Sequence, residues 1–180
     1  MTPALRVSVF LGISLDGYLA RENHSLDWLS IVQTDPPEDT GYSSLMASVD
    51  VMVLGRTTYD VVTTFPEWPF TGKRVVVLTS RPLLARHGEE TFDGELSDLV
   101  QQVRLAGHHH IYLDGGHVVR QALQAGVVTH LTFSWLPIML GSGIALFSRT
   151  LTEQQWQLTS SQAFPSGLVQ ASYVVAAHPR

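Results

Sequence analysis

The chain has 180 residues, 44% of them apolar and 15% charged, with 16 acidic against 11 basic side chains and a formal net charge of −5. Such a composition suits one well-buried domain rather than a disordered segment, and its acidic balance argues against a surface for nucleic acid or anionic membrane. No cysteine is present, which removes disulfides, thiolate nucleophiles and Cys-containing zinc sites. No apolar run approaches the roughly 18 residues of a membrane-spanning helix, and the first residues show no charged-then-apolar leader, so a cytoplasmic protein is expected.

Residues 5–13 (Leu-Arg-Val-Ser-Val-Phe-Leu-Gly-Ile) read as a buried strand, and Asp16-Gly17 as the turn that follows it. Residues 21–37 read as a loop ending in Pro36-Pro37. The spacing of Tyr42, Leu45, Met46 and Val49 predicts a helix over 38–49, with Glu38 and Asp39 in its first turn. Residues 50–54 form a second strand, and Gly55-Arg56-Thr57-Thr58 opens a short helix. A third strand spans 74–79. Leu96, Leu99, Val100 and Val103 give an amphipathic helix over 95–106, ended by Gly107. A strand at 110–114 runs through Gly115-Gly116 into a helix reaching 125. A strand at 127–135, a Gly141-Ser142-Gly143 loop and strands at 155–163 and 167–177 complete the chain. Alternating strands and helices followed by an all-strand tail predict one α/β domain over residues 1–180. Its sheet is mostly parallel, has helices on both faces, and closes with an antiparallel C-terminal hairpin.

Three corners carry the functional reading. At Gly115-Gly116 a strand turns into a helix, where glycines allow close backbone approach and the first helical amides lack partners, a setting for a phosphate or for a plain tight turn. Gly55-Arg56-Thr57-Thr58 repeats the pattern with a guanidinium and two hydroxyls; its plain alternative is a capped helix with a surface Arg. Thr79-Ser80-Arg81 leaves the third strand as a small anion pocket or as a polar turn before Pro82. All three follow parallel strands and so share one carboxyl edge, where open α/β sheets bind ligands. Together they suggest a ligand with several phosphates, such as a dinucleotide.

These segments, with Ser14-Leu-Asp-Gly-Tyr-Leu-Ala20, Leu26-Asp-Trp-Leu29, Asp50-Val-Met-Val-Leu-Gly-Arg-Thr-Thr-Tyr59, Val77-Leu-Thr-Ser-Arg-Pro82, Tyr112-Leu-Asp-Gly-Gly116 and Pro137-Ile-Met-Leu-Gly-Ser-Gly143, occur in the order of the dihydrofolate reductase-like superfamily. The chain resembles the branch related to the C-terminal reductase domain of the bacterial riboflavin-biosynthesis protein. The resemblance implies NADPH as cofactor. It implies that Arg56 meets the adenosine phosphate, that Gly55, Thr57 and Thr58 lie near the pyrophosphate, and that Thr79, Ser80 and Arg81 surround the 2′-phosphate. It also implies that Gly115 and Gly116 lie over the pyrophosphate, with Asp114, His117 and Val118 in the same corner, and that backbone groups of Gly12, Ile13 and Leu19 hold the nicotinamide. Asp114 stands where dihydrofolate reductases carry a third glycine, and Thr129-His130 replace an Asp-Glu pair common in the branch.

On the substrate side, a gapless count back from Gly55 puts Asp39 at the position of the buried acid of dihydrofolate reductases. The plain alternative is a solvated acid favouring the helix dipole. Asp16 lies in the loop that would cover the nicotinamide, as a catalytic acid or as a turn former. Trp28 and Tyr18 either wall a substrate slot or pack in the core. Consecutive His108, His109 and His110 point to alternate faces, and no metal site is expected. The expected activity is NADPH-dependent hydride transfer to a small heterocyclic or pterin/pyrimidine-like substrate. The alternatives are NADP(H) binding without turnover and a stand-alone ribosylaminopyrimidine reductase. A homodimer is expected from the apolar C-terminal third, Leu131, Phe133, Trp135, Leu136, Ile138, Met139, Leu140, Ile144, Leu146 and Phe147.

Overall fold

The computed structural model describes residues 4–147 and 151–176. Apolar β-branched runs form the strands β1 (Arg6–Ser14), β3 (Val51–Gly55), β4 (Arg74–Leu78) and β6 (His110–Asp114), which are hydrophobic on both faces because both are covered. With β5 (Glu90–Phe92), β7 (His130–Leu136), β9 (Trp156–Ala163) and β10 (Val169–Val175) they build one sheet in the order β5-β4-β3-β6-β1-β7-β10-β9. Pairing is parallel from β5 through β7 and antiparallel for β7–β10 and β10–β9. The sheet is mostly parallel and its C-terminal hairpin antiparallel, as the sequence predicts. Two short strands the sequence does not announce, β2 (Tyr18–Ala20) and β8 (Ile144–Ala145), pair with each other outside the main sheet.

Odd-numbered β1 side chains (Val7, Val9, Leu11, Ile13) join Val51, Val53, Ile111 and Leu113 under α3 (Leu96–Leu105) and α4 (Gly116–Gln124). The opposite face packs Met52, Leu54, Val75, Val77 and Tyr112 against α1 (Tyr42–Ser48) and α2 (Arg56–Val62). Toward β7 and β10 this second face carries a 3-10 helix, Asp27–Val32, whose Trp28 is buried with Leu136, Phe164 and Leu168. Trp28 is therefore a core residue. No helix among the described residues is long and apolar enough to cross a membrane.

One expectation needs correction. The helix predicted over 38–49 begins only at Tyr42, because Gly41 takes a left-handed conformation (φ +78°), so Glu38 and Asp39 precede the helix rather than fill its first turn. The apolar C-terminal residues offered as a dimer surface divide between the core and the surface. Leu131, Phe133, Leu136 and Leu146 are buried within the subunit, and of the set Met139 and Phe147 are the exposed members.

Candidate functional site

The carboxyl ends of β4, β3, β6 and β1 lie side by side, which brings the three corners onto one edge. That edge contains an opening. β1 pairs with β6 only from Arg6 to Val9, whereas it pairs with β7 from Ser8 to Ser14. Beyond Val9 the two strands part, because β6 ends at Asp114 and turns into α4. The backbone of β1 facing β6 is thus without a ladder from Phe10 onward; Tyr112 Oη donates to Phe10 O at 2.9 Å. Unpaired strand backbone beside a cleft is suited to a flat amide ligand. Gly12 lies in this stretch, and a Cβ there would sit 3.3 Å from Leu136 and Leu29. The Ile13 side chain points the other way, into the core.

The Gly115-Gly116 corner is set by the protein's own close packing. Gly115 is the N-cap of α4 at φ +97°, and a Cβ on it would overlap the Thr58 hydroxyl. A Cβ on Gly116 would lie 2.6 Å from Leu19 Cδ1. The β3 and β6 corners therefore touch through Thr58 and Gly115, and Leu19 closes over Gly116. Val118 is fully buried and lies beneath Gly55, 3.3 Å from where a Cβ there would sit, while His117 is exposed. Neither α2 nor α4 has a side-chain cap, so Thr57 and Thr58 do not cap α2 as the sequence allowed. Arg56 donates from Nε to Asp60 at 2.9 Å and from Nη1 to Pro82 O at 3.0 Å, which ties the β3 corner to the β4 corner. There Thr79 Oγ1 accepts Arg81 N at 3.1 Å, leaving Ser80 and Arg81 exposed at the rim.

A clasp borders the opening on the β1 side. Asp16 accepts Ser14 Oγ (2.6 Å), Leu140 N (3.1 Å) and Gly141 N (2.7 Å). Leu15 N donates to Ile138 O and Leu146 N to Gly17 O, and β2 pairs with β8. Gly143 is required here because a Cβ would run into Ala20 O. These donors, the Ser14 hydroxyl first, hold the Asp16 carboxyl below its usual range. Asp16 is consequently an anchor between two loops.

Asp39 lines a cavity with Phe10, Gly41 and Thr132 beside α1. It is exposed, and its carboxylate accepts Gly41 N at 2.9 Å as a turn-forming Asp. Its neighbour Glu38 instead accepts Ser166 N at 2.9 Å, fastening the loop to the β9–β10 turn. The acid at the edge is Asp114. It shares a face of β6 with Tyr112, toward α1, where the Tyr42 ring lies 5.4 Å from Phe10 and 6.3 Å from Tyr112. Burial raises the Asp114 carboxyl above the usual range against the lowering effect of its bond from Gly115 N at 2.8 Å. Burial, then the charge of Asp114, raises Tyr42 as well. Sequence reasoning assigned Asp114 to the cofactor corner only. The alternation of β6 from buried Tyr112 to Asp114 at its end was the available signal for a partly desolvated acid.

A mostly parallel sheet that opens at the carboxyl edge between β1 and β6, with a glycine corner on one side and a loop clasp on the other, defines a dihydrofolate reductase-like fold. The RibD C-terminal domain family matches residues 6–170, and the chain belongs to that family. It is 30% identical to YwjB of Bacillus subtilis (strain 168) over 171 residues, 93% of this chain and 97% of that protein. It superposes at a TM-score of 0.89 and 30% identity on a protein ascribed to riboflavin biosynthesis from Shewanella sp. PV-4, covering 96% of this chain and all of that one. The diaminohydroxyphosphoribosylaminopyrimidine deaminase/5-amino-6-(5-phosphoribosylamino)uracil reductase of Thermotoga maritima shares the fold at TM-score 0.69 and 11% identity, with 57% of its length covered.

Proposed function

We propose that this protein is an NADPH-dependent reductase of a small pterin- or pyrimidine-like heterocycle. The observation that carries the reading is the opening between β1 and β6, with the Gly115-Gly116 corner and Asp114 on its β6 side. The residues present fit a phosphorylated dinucleotide. Gly115 and Gly116 bring Thr58 and Leu19 close around the start of α4, α4 begins without a side-chain cap that would occupy its first amides, and Arg56 and Arg81 stand at the far end for a 2′-phosphate. The β6-facing edge of β1 around Gly12, which has no strand partner, supports nicotinamide binding at the near end.

When bound, the reduced nicotinamide supplies a hydride to the carbon of a substrate C=N or C=O bond. The matching proton goes to the heteroatom. Burial shifts the Asp114 carboxyl toward its protonated form, and this carboxyl is the acid that borders the opening. Tyr42, Phe10 and Tyr112 form an aromatic wall beside it that suits a planar ring. The clasp pinned by Asp16 excludes water from the β1 side.

The test follows oxidation of NADPH with a panel of dihydropterins and ribosylaminopyrimidines. Substrate-dependent loss of reduced-nicotinamide absorbance supports the reading. Tight NADPH binding with no turnover on any substrate favours a binding protein instead.

A further inference from the structure

Arg120 lies on α4, one turn after Gly116, and helical side chains lean toward the N-terminus of their own helix. Its guanidinium follows that lean. Nη1 is 3.3 Å from the position that a Cβ on Gly116 would take. The same Nη1 donates to Ala145 O, in β8, at 2.7 Å. Arg120 thus sits where the clasp meets the glycine corner. Among the described residues no carboxylate lies within ion-pair distance of it, whereas Arg56, the cation of the β3 corner, is paired with Asp60. A cation held over the positive end of its own helix dipole is placed against the local field unless an anion shares the site. One of its five N–H donors is used by Ala145.

We infer that Arg120 is a further anion-binding residue of the Gly115-Gly116 corner. Its free N–H groups take a pyrophosphate oxygen of the dinucleotide while Nη1 keeps β8, and with it β2 and Leu19, closed over the corner. Cofactor binding and clasp closure are then linked through one side chain. The inference rests on the dinucleotide reading above.

The experiment titrates NADPH and adenosine 2′-monophosphate, which lacks the pyrophosphate, into wild type, Arg120→Lys and Arg120→Gln. Lysine keeps the charge, and glutamine keeps a donor for Ala145 O without it. The expected result is a loss of NADPH affinity of about tenfold to a hundredfold in Arg120→Gln, with Arg120→Lys close to wild type. The salt dependence of NADPH binding should be shallower in the glutamine variant, and all three proteins should bind the monophosphate alike. Wild-type affinity in Arg120→Gln overturns the inference. So does an equal loss in both variants, which would mean that Arg120 serves the clasp alone. A wild type that binds no NADPH overturns the dinucleotide reading itself, and a readable difference between the variants is then absent for that separate reason.

Discussion

Asp16 and Gly141 are joined across 125 residues of sequence, Gly141 N donating to Asp16 Oδ2 at 2.7 Å. With the bonds from Leu140 N and Ser14 Oγ, this carboxylate turns two loops into one wall of the cleft. Asp16→Ala should leave the central sheet intact and loosen that wall. Amide exchange over residues 15–20 and 138–146 should accelerate by roughly tenfold or more, as local opening loses its anchor. Cofactor KM should rise more than kcat falls. Unchanged exchange in both loops would show that β2–β8 pairing suffices without Asp16.

The contact of Gly115 with Thr58 predicts a specific pattern of destabilisation. Gly115→Ala forces a side chain to φ +97° and against the Thr58 hydroxyl, and should lower stability by about 1–3 kcal/mol in urea unfolding. In a Thr58→Ala background the Cβ of residue 58, 3.4 Å away, and Gly55 N, 3.8 Å away, still face the new methyl, both ordinary contacts. Part of the loss should therefore return, leaving the backbone share. Additive losses would mean that the two corners do not press on each other.

Much of this fold is legible in the sequence because its determinants are local. Val51–Leu54, Val75–Leu78 and Ile111–Leu113 are continuous apolar runs, and a glycine ends β3 and follows β6. What escapes is set by distant contacts or by a single dihedral. Gly41 delays α1 by four residues through one left-handed φ angle, and that carries Asp39 out of the helix. The pairing of β2 with β8 and the bonds of Asp16 to Leu140 N and Gly141 N depend on loops over a hundred residues apart. Asp114 reads as a corner residue until the parting of β1 from β6 shows which cleft it borders.

Asp114 also links stability to pH. Its folded-state carboxyl titrates above the unfolded value, so the folded state holds a proton that the unfolded chain has released. Stability on this account is greatest below the unfolded pKa and falls as pH rises from there through the raised folded value. At neutral pH, Asp114→Asn removes the desolvated charge while keeping an acceptor for Gly115 N. It should raise Tm at pH 7 and abolish or sharply lower turnover, with NADPH affinity little changed. A lower Tm together with normal turnover would show that the carboxyl is structural.

His110 gives a second pH effect with the opposite sign. It is buried between Ser8 Oγ (2.8 Å from Nε2) and Ser48 Oγ (3.0 Å from Nδ1), and burial, then the charge of Arg6, lowers its pKa from 6.5 to about 4. Above pH 6.5 it is neutral in both states and costs nothing. As pH falls from there toward 4 the unfolded chain takes up the proton first, and stability should drop by up to about 3 kcal/mol, levelling off below. His130, lowered by burial and Arg6, adds in the same direction. Urea unfolding between pH 4 and 7 should show a shallower slope in His110→Gln than in wild type; equal slopes would remove His110 as the source.

The most direct measurement is titration calorimetry of the wild type and of Arg56→Ala with NADPH and with NADH. Arg56 is fixed by Asp60 and Pro82 O next to Thr79-Ser80-Arg81, and the proposed function assigns it to a 2′-phosphate. A charge-assisted contact of this kind contributes roughly 1.5–3 kcal/mol, about tenfold to a hundredfold in affinity. The wild type should bind NADPH more tightly than NADH by that factor, and Arg56→Ala should lose most of the preference while its NADH affinity barely changes. Equal affinities for the two dinucleotides in the wild type, or binding of neither, would contradict the assignment of this edge as an NADPH site.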